Sequence, residues 1–199
     1  MQRINYYIAR LRGLLLSLHS LTGINFRLCI YKNFTITRER IKFGRNVSIY
    51  YNSRIEAITL YEGIKFNPII ELCNNVSIQQ NIHLTCANNV YIGKNTAIAA
   101  NVTITDIHHP YTDINKPIEK QNIEVGYVRI GEDCKIYNNA VILPNVTIGK
   151  HVTIGANSVV NKSIPDYCVV VGHPAHIIKR YDFTTKTWRK TNHKGDFIE

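Results

Sequence analysis

Residues 128–164 read VRIGEDCKIYNNAVILPNVTIGKHVTIGANSVVNKSI. Within them Ile130, Ile136, Ile142, Ile148, Ile154 and Val160 recur at every sixth position. Four residues after each comes Cys134, Ala140, Val146, Val152, Ser158 or Ile164, a second position for a small or aliphatic side chain. A helix returns apolar residues every three or four positions and a half-buried strand every two, so a period of six belongs to neither. Short strands joined by tight corners do produce it, each strand giving one side of a stacked solenoid.

The same pattern extends toward the N-terminus. It begins at Phe43, Ile49 and Ile55, with Val47, Ser53 and Thr59 at the secondary positions, and blurs over 60–71. Leu72, Ile78 and Leu84 resume it, supported by Val76 and Ile82. The tetrapeptide Cys86-Ala87-Asn88-Asn89 shifts the phase by two residues, after which Ile92, Ile98 and Ile104 continue with Thr96 and Val102. Glycine follows the principal aliphatic at Gly44, Gly93, Gly131, Gly149 and Gly155, and asparagine recurs near the corners. Both residue types tolerate the left-handed backbone of a sharp corner. Thr105–Val128 interrupts the repeat, and an insertion in a solenoid leaves the stack as a loop, here one rich in His108, His109, Tyr111, Asp106 and Asp113.

Composition fits one domain with a continuous core: 199 residues, 45% hydrophobic and 19% charged. The balance of 24 Lys+Arg against 14 Asp+Glu, a net +10, calls for an anionic partner such as a phosphorylated cofactor or a membrane surface. No helix-turn-helix, zinc finger or aromatic-basic ladder points to nucleic acid. The odd set Cys29, Cys73, Cys86, Cys134 and Cys168 holds no CxxC pair and reads as small buried thiols in a reducing, cytoplasmic compartment.

Residues 1–20 do not read as a secretory signal, and no stretch approaches the ~20 nearly uncharged residues of a membrane span. Instead Ile4, Ile8, Leu11, Leu15 and Leu18 recur at helical spacing, with the arginines on other faces. The reading adopted is an amphipathic helix packed across the base of the solenoid; the other is a basic helix resting on an anionic membrane. The domain organisation expected is therefore this helix at 1–20, the solenoid at 21–180 with its loop at 105–128, and a polar, partly disordered tail at 181–199.

The pattern [LIV]-G-x-x-[small]-x over Val128–Ile164 and the ending SIPDYCVVVGHPAHIIKRY resemble the hexapeptide-repeat acyltransferases. The insertion ITDIHHPYTDINKPIEKQ resembles their sugar O-acetyltransferase branch, which includes galactoside, maltose, capsule and O-antigen acetyltransferases. The resemblance covers about residues 43–180. It implies an all-β fold, a left-handed parallel β-helix of three strands per coil, with the N-terminal helix and an extruded active-site loop added. It implies direct acetyl transfer from acetyl-CoA to a sugar hydroxyl, without metal, at sites between subunits of a homotrimer. The polysaccharide-modifying members make a role in surface-polysaccharide biosynthesis the expectation.

The family's general base stands before proline in V-T-[IL]-x-x-x-x-H-P, which maps onto His109. A sugar hydroxyl is a poor nucleophile until its proton is being removed, and an imidazole suits that task near neutral pH. The phase of the repeat adds that His108, four residues after Ile104, faces inward and His109 outward. Asp106 is then a candidate to hold the imidazole in its productive tautomer, or a loop-turn aspartate.

By motif position the resemblance assigns Asn138, Ala156, Asn161, Lys162, His176, Lys179 and Arg180 to the donor. Family arginines are replaced at His176 and Lys179, and Arg180 is the expected compensation at the phosphates. Asn81, His83, His108 and Tyr111 are the candidates at the acceptor. The aromatic that walls the acceptor site in the family is missing, or has moved to Tyr137 or Tyr111. Two other functions stay open: a zinc enzyme like the β-helical carbonic anhydrases, using His83, His108, His109 and His151, and an inactive scaffold. The adjacency of His108 and His109 weighs against convergent zinc ligands.

Overall fold

The computed structural model describes residues 2–32, 35–192 and 195–198. Met1 of the expected helix, and residues 193, 194 and 199 of the expected tail, lie outside them. The chain winds as a left-handed parallel β-helix with three strands per coil. One coil shows the route: Ala97–Ile98 on the first face, Thr103–Thr105 on the second and Tyr127–Ile130 on the third. Lys135–Ile136 then returns to the first face above Ala97–Ile98.

Registers repeat without slip. Ile78, Ile98, Ile136 and Ile154 stack on the first face, Ile55, Leu84, Ile104 and Ile142 on the second, Leu72, Ile92, Ile130 and Ile148 on the third. These columns form a single buried cluster along the length of the solenoid. Each such side chain is worth ~1.5–3 kcal/mol when fully buried. Polar residues at secondary positions are buried but bonded: Thr96 Oγ1 donates to Gly131 O at 2.9 Å and accepts from Cys134 N at 3.1 Å. All five cysteines are free, four buried and Cys73 half-buried.

Asparagine, not glycine, takes the left-handed corner positions. Asn81, Asn101, Asn139 and Asn157 have φ of 61°, 61°, 62° and 58° at the corner between the first and second faces. Their carboxamides run as a ladder, Asn81 Nδ2 to Asn101 Oδ1 at 3.0 Å and onward to Asn157. A second ladder joins Asn46, Asn75, Asn95 and Asp133 between the third and first faces. The glycines after the aliphatics instead permit close stacking of coils. A Cβ on Gly93 would lie 2.5 Å from the Gly131 carbonyl carbon.

Three expectations are corrected. Thr59 is exposed because the chain leaves the stack there; Leu60–Tyr61 and Ile64–Lys65 form an antiparallel hairpin, a second extrusion hidden in the blurred stretch. The helix spans Gln2–Ser17 and does cap the base, but through Ala9, Gly13 and Ser17 with Leu16 beside them, leaving the Ile4, Ile8, Leu11, Leu15 and Leu18 stripe exposed. Small residues won because they let the helix approach the first strand: a Cβ on Gly13 would sit 2.2 Å from Leu28 O. Finally, the segment expected as a tail is folded. Strand His176–Asp182 crosses the expected boundary and pairs antiparallel with Cys168–Val171, and Thr187–Lys190 pairs with it in turn.

Candidate active site

Both extrusions leave the corner between the second and third faces, the hairpin two coils below the loop. The coil between them makes the tight turn Cys86–Asn89. Asp106 clamps that turn: Oδ1 accepts from Ala87 N at 2.7 Å, and Oδ2 from Asn88 N at 2.9 Å and Asn89 N at 2.8 Å. The Cys86 thiol lies 3.3 Å from Oδ2, and burial followed by this carboxylate pushes its pKa far up. The Asp106 backbone carbonyl accepts from Gly126 N at 2.7 Å, where the loop returns. Asp106 is thus fully buried and committed to the neck of the loop. The expectation that it orients an imidazole is corrected.

Above that neck, Ile107–His108 pairs antiparallel with Glu124–Val125. Leaving the stack breaks the repeat phase, so His108 is exposed and the inward placement expected of it is wrong. His108 meets Tyr111 edge-on, ring centroids 6.2 Å apart, and lines a cleft of about 360 Å³ with Leu143, Pro144, Asn145 and Asn161. His109 is half-buried and turns to a different cleft, of about 420 Å³, on the outer side of the second face.

That second cleft has three walls. The β-helix supplies Arg54, His83 and Thr103, stacked in register, with Thr85 and Thr105 beside them, their hydroxyls 2.9 Å apart. The hairpin supplies Tyr61, and the loop supplies Ile107, His109, Glu119 and Ile123. Tyr61 meets the His109 ring edge-on at 5.6 Å and donates to Glu119 O at 2.9 Å. Lys120 Nζ bonds Glu62 at 3.1 Å, a second tie between loop and hairpin. Within the loop, Gln121 is buried and bonds Asp113 and Lys116.

Two polar groups of this cleft, His83 and Tyr61, are favoured in their neutral forms. Burial, and then the Arg54 guanidinium, hold the His83 imidazole below its ordinary pKa despite Glu56. Desolvation, and then the Glu119 carboxylate, hold the Tyr61 phenol above its own, protonated. Arg54 itself is paired through Nε with Glu56 at 2.6 Å. His109 Nδ1 is buried and has no hydrogen-bond partner among the described residues. A buried polar atom without a partner costs ~1–3 kcal/mol, and sites of chemistry are where such atoms persist.

The other expected residues separate. Asn81 belongs to the corner ladder, outside both clefts. Asn138 and Ala156 stack in successive coils between the first and second faces, below the 172–175 turn, where Ala175 N bonds Val159 O. His176 packs over Gly172 at the end of the same turn. Asn161 and Lys162 lie across the second face from them, next to Leu143 and Pro144. Lys179 is exposed on the C-terminal hairpin. Arg180 donates to Gly195 O at 3.2 Å and lies over the Phe197 ring, contacts within the C-terminal segment.

Sequence reasoning missed Tyr61, Arg54 and Glu119. Only the interrupted repeat at 60–71 marked the segment that carries Tyr61. The four histidines offered as zinc ligands do not gather: His108 and His109 face separate clefts, and His151 packs against Tyr167 and Trp188 at another corner.

Residues 127–162 match the model of the bacterial transferase hexapeptide family (six repeats). The chain is 35% identical over 157 residues to the "Putative lipopolysaccharide biosynthesis O-acetyl transferase WbbJ" of Escherichia coli K12, covering 75% of this chain and 76% of that one. It is 34% identical over 117 residues to the galactoside O-acetyltransferase of the same organism, covering 57% of this chain and 56% of that protein's length. Among solved structures, PerB from Caulobacter crescentus, in complex with CoA and GDP-perosamine, superposes with a TM-score of 0.55 at 18% identity. That superposition covers 78% of this chain and 58% of PerB, and shows a shared fold.

Proposed function

The chain belongs to the bacterial hexapeptide-repeat transferases, and on that premise we propose that it moves an acetyl group from acetyl-CoA to a sugar hydroxyl during assembly of a surface polysaccharide. It is an acetyl-CoA-dependent acyltransferase, as its O-acetyltransferase relatives are. The observation that carries the sugar-hydroxyl reading is the buried, unpaired Nδ1 of His109 beside a cleft whose lining includes hydroxyl, phenol and imidazole groups together with Arg54 and Glu119.

His109 acts as general base. Its imidazole takes the hydroxyl proton as the oxygen attacks the thioester carbonyl, forming the C–O bond of a tetrahedral adduct. Collapse of the adduct breaks the C–S bond, and the imidazolium returns the proton to the departing thiolate. His83, Tyr61 and the Thr85–Thr105 pair orient the sugar. Tyr61 takes the place of the aromatic wall sought at Tyr111 or Tyr137.

The pantetheine arm runs along the corner of Asn138 and Ala156 toward His176, with Lys179 at the phosphates. Asn161 and Lys162, across the second face, reach the same donor only from a neighbouring subunit, which favours a homotrimer with shared sites. The reaction belongs in the cytoplasm, where acetyl-CoA is available.

Release of free thiol from acetyl-CoA, measured with free sugars, nucleotide sugars and lipid-linked glycans, tests the reading. His109→Ala should lower the rate ~100- to 10,000-fold with an unchanged circular dichroism spectrum. Full activity in that variant, with loss in His108→Ala instead, would move the chemistry to the other cleft.

A further inference from the structure

The base of the solenoid exposes apolar side chains. Ile4, Tyr7, Leu11 and Leu15 of the helix are 63%, 68%, 57% and 53% exposed. After the helix the chain turns under the lowest strands, Leu21 N bonding Ile41 O, and exposes Leu21, Ile24 and Phe26 there as well. Ile4, Tyr7, Leu11 and Leu15 are on the opposite side of the helix from Ala9, Gly13 and Ser17, which face the core. Large contiguous apolar patches on a soluble surface mark binding sites.

Three observations select the occupant. The first is charge: residues 4–40 hold Arg10, Arg12, Arg27, Lys32, Arg38 and Arg40 against one acid, Glu39. The second is a groove of about 330 Å³ beside the helix, floored by Leu15, Leu16, Ile30 and Ile36 and rimmed by Arg12, Lys32 and Arg38. Cations rimming an apolar floor match a phosphate headgroup above an acyl chain. The third is direction. The patch closes the end of the solenoid, below the first strand of the stack, so a copy packed against the sides of the β-helix would leave it uncovered.

We propose that this base docks on an anionic phospholipid bilayer, the helix lying in the interface with its outer stripe among the acyl chains and its arginines at the headgroups. Gly13 and the small residues beside it fix the helix to the solenoid, so the active-site loop stands a constant distance above the membrane. The proposal does not depend on which acyl acceptor the enzyme uses.

Co-sedimentation of the full chain with mixed phosphatidylglycerol–phosphatidylcholine vesicles tests it. Binding is expected at low salt, with weaker binding to phosphatidylcholine alone and at high salt. Removing both charges in Arg10→Gln/Arg12→Gln should lower partitioning ~30-fold. Leu11→Glu/Leu15→Glu, at exposed positions, should abolish sedimentation while leaving the thermal unfolding midpoint unchanged. No binding of the parent chain at low salt overturns the proposal. So does a drop in oligomeric mass by light scattering in the glutamate variant, which would make the patch a contact between copies.

Discussion

Asp106→Asn separates two roles for a residue that sequence motifs place beside the proposed general base, His109. In the structure its two oxygens accept three backbone N–H groups and lie within reach of one thiol. An amide keeps one oxygen. Seated to retain Asn88 and Asn89, it turns its NH2 toward the Ala87 N–H, so a buried bond becomes two opposed donors. A hydrogen bond to a charged group contributes ~1.5–3 kcal/mol, and a buried donor left unpaired costs a further ~1–3 kcal/mol. The loss is therefore about 3–5 kcal/mol. At ~2–4 °C per kcal/mol for a chain of this size, the unfolding midpoint should fall by about 10 °C. Differential scanning calorimetry measures it directly. Acetyl transfer at low temperature should keep its pH profile, because the imidazole loses no partner. An unchanged midpoint, with a reduced kcat and a shifted pH profile, would refute the clamp and restore Asp106 as the partner of His109.

Two further outcomes follow from named contacts. The Asp182 carboxyl is held at about 2, below its usual 3.8, first by the Arg189 guanidinium and then by the Thr184 N–H. A depressed carboxyl stabilises the fold at pH above its unfolded value, and the benefit disappears as pH falls from about 4 toward 2. Emission from Trp188, the only tryptophan, should report loosening of the C-terminal hairpin over that window, and Asp182→Asn should show the loosening at neutral pH. Gly131→Ala would bring a Cβ within 2.5 Å of Gly149 O, between coils that cannot spread without breaking their ladder. Overpacking of this kind costs at least ~1–3 kcal/mol, and thermal melts should show a larger loss than for Gly63→Ala, which meets open space at φ 81°.

The solenoid was legible because every coil states the same rule: Ile130 through Val160 each say where inside is, and the asparagines say where the corners are. What defeated reading were features set by partners distant in sequence. Asp106 looks like a turn residue, and its donors lie 17 to 19 positions earlier. His108 follows the repeat on paper, yet its strand has left the stack to pair antiparallel. Periodicity found the helix but could not orient it, since the face that packs sets Leu16 among Ala9, Gly13 and Ser17, small residues that a hydrophobicity argument assigns to neither side. Tyr61 sits in a hairpin whose only trace was a lapse in the pattern.

The antiparallel end of the first face has a consequence for the life of the protein in a crowded cell. A parallel stack whose first and last rungs stay unpaired is the template from which fibrils grow. Here the bottom rung lies under the helix, and the top rung is turned back on itself by His176–Asp182 and Thr187–Lys190. The last strand carries Lys190 outward into solvent, a charge at the edge that resists addition of another chain. The segment expected from the sequence as a polar tail closes one face of an architecture that could otherwise propagate.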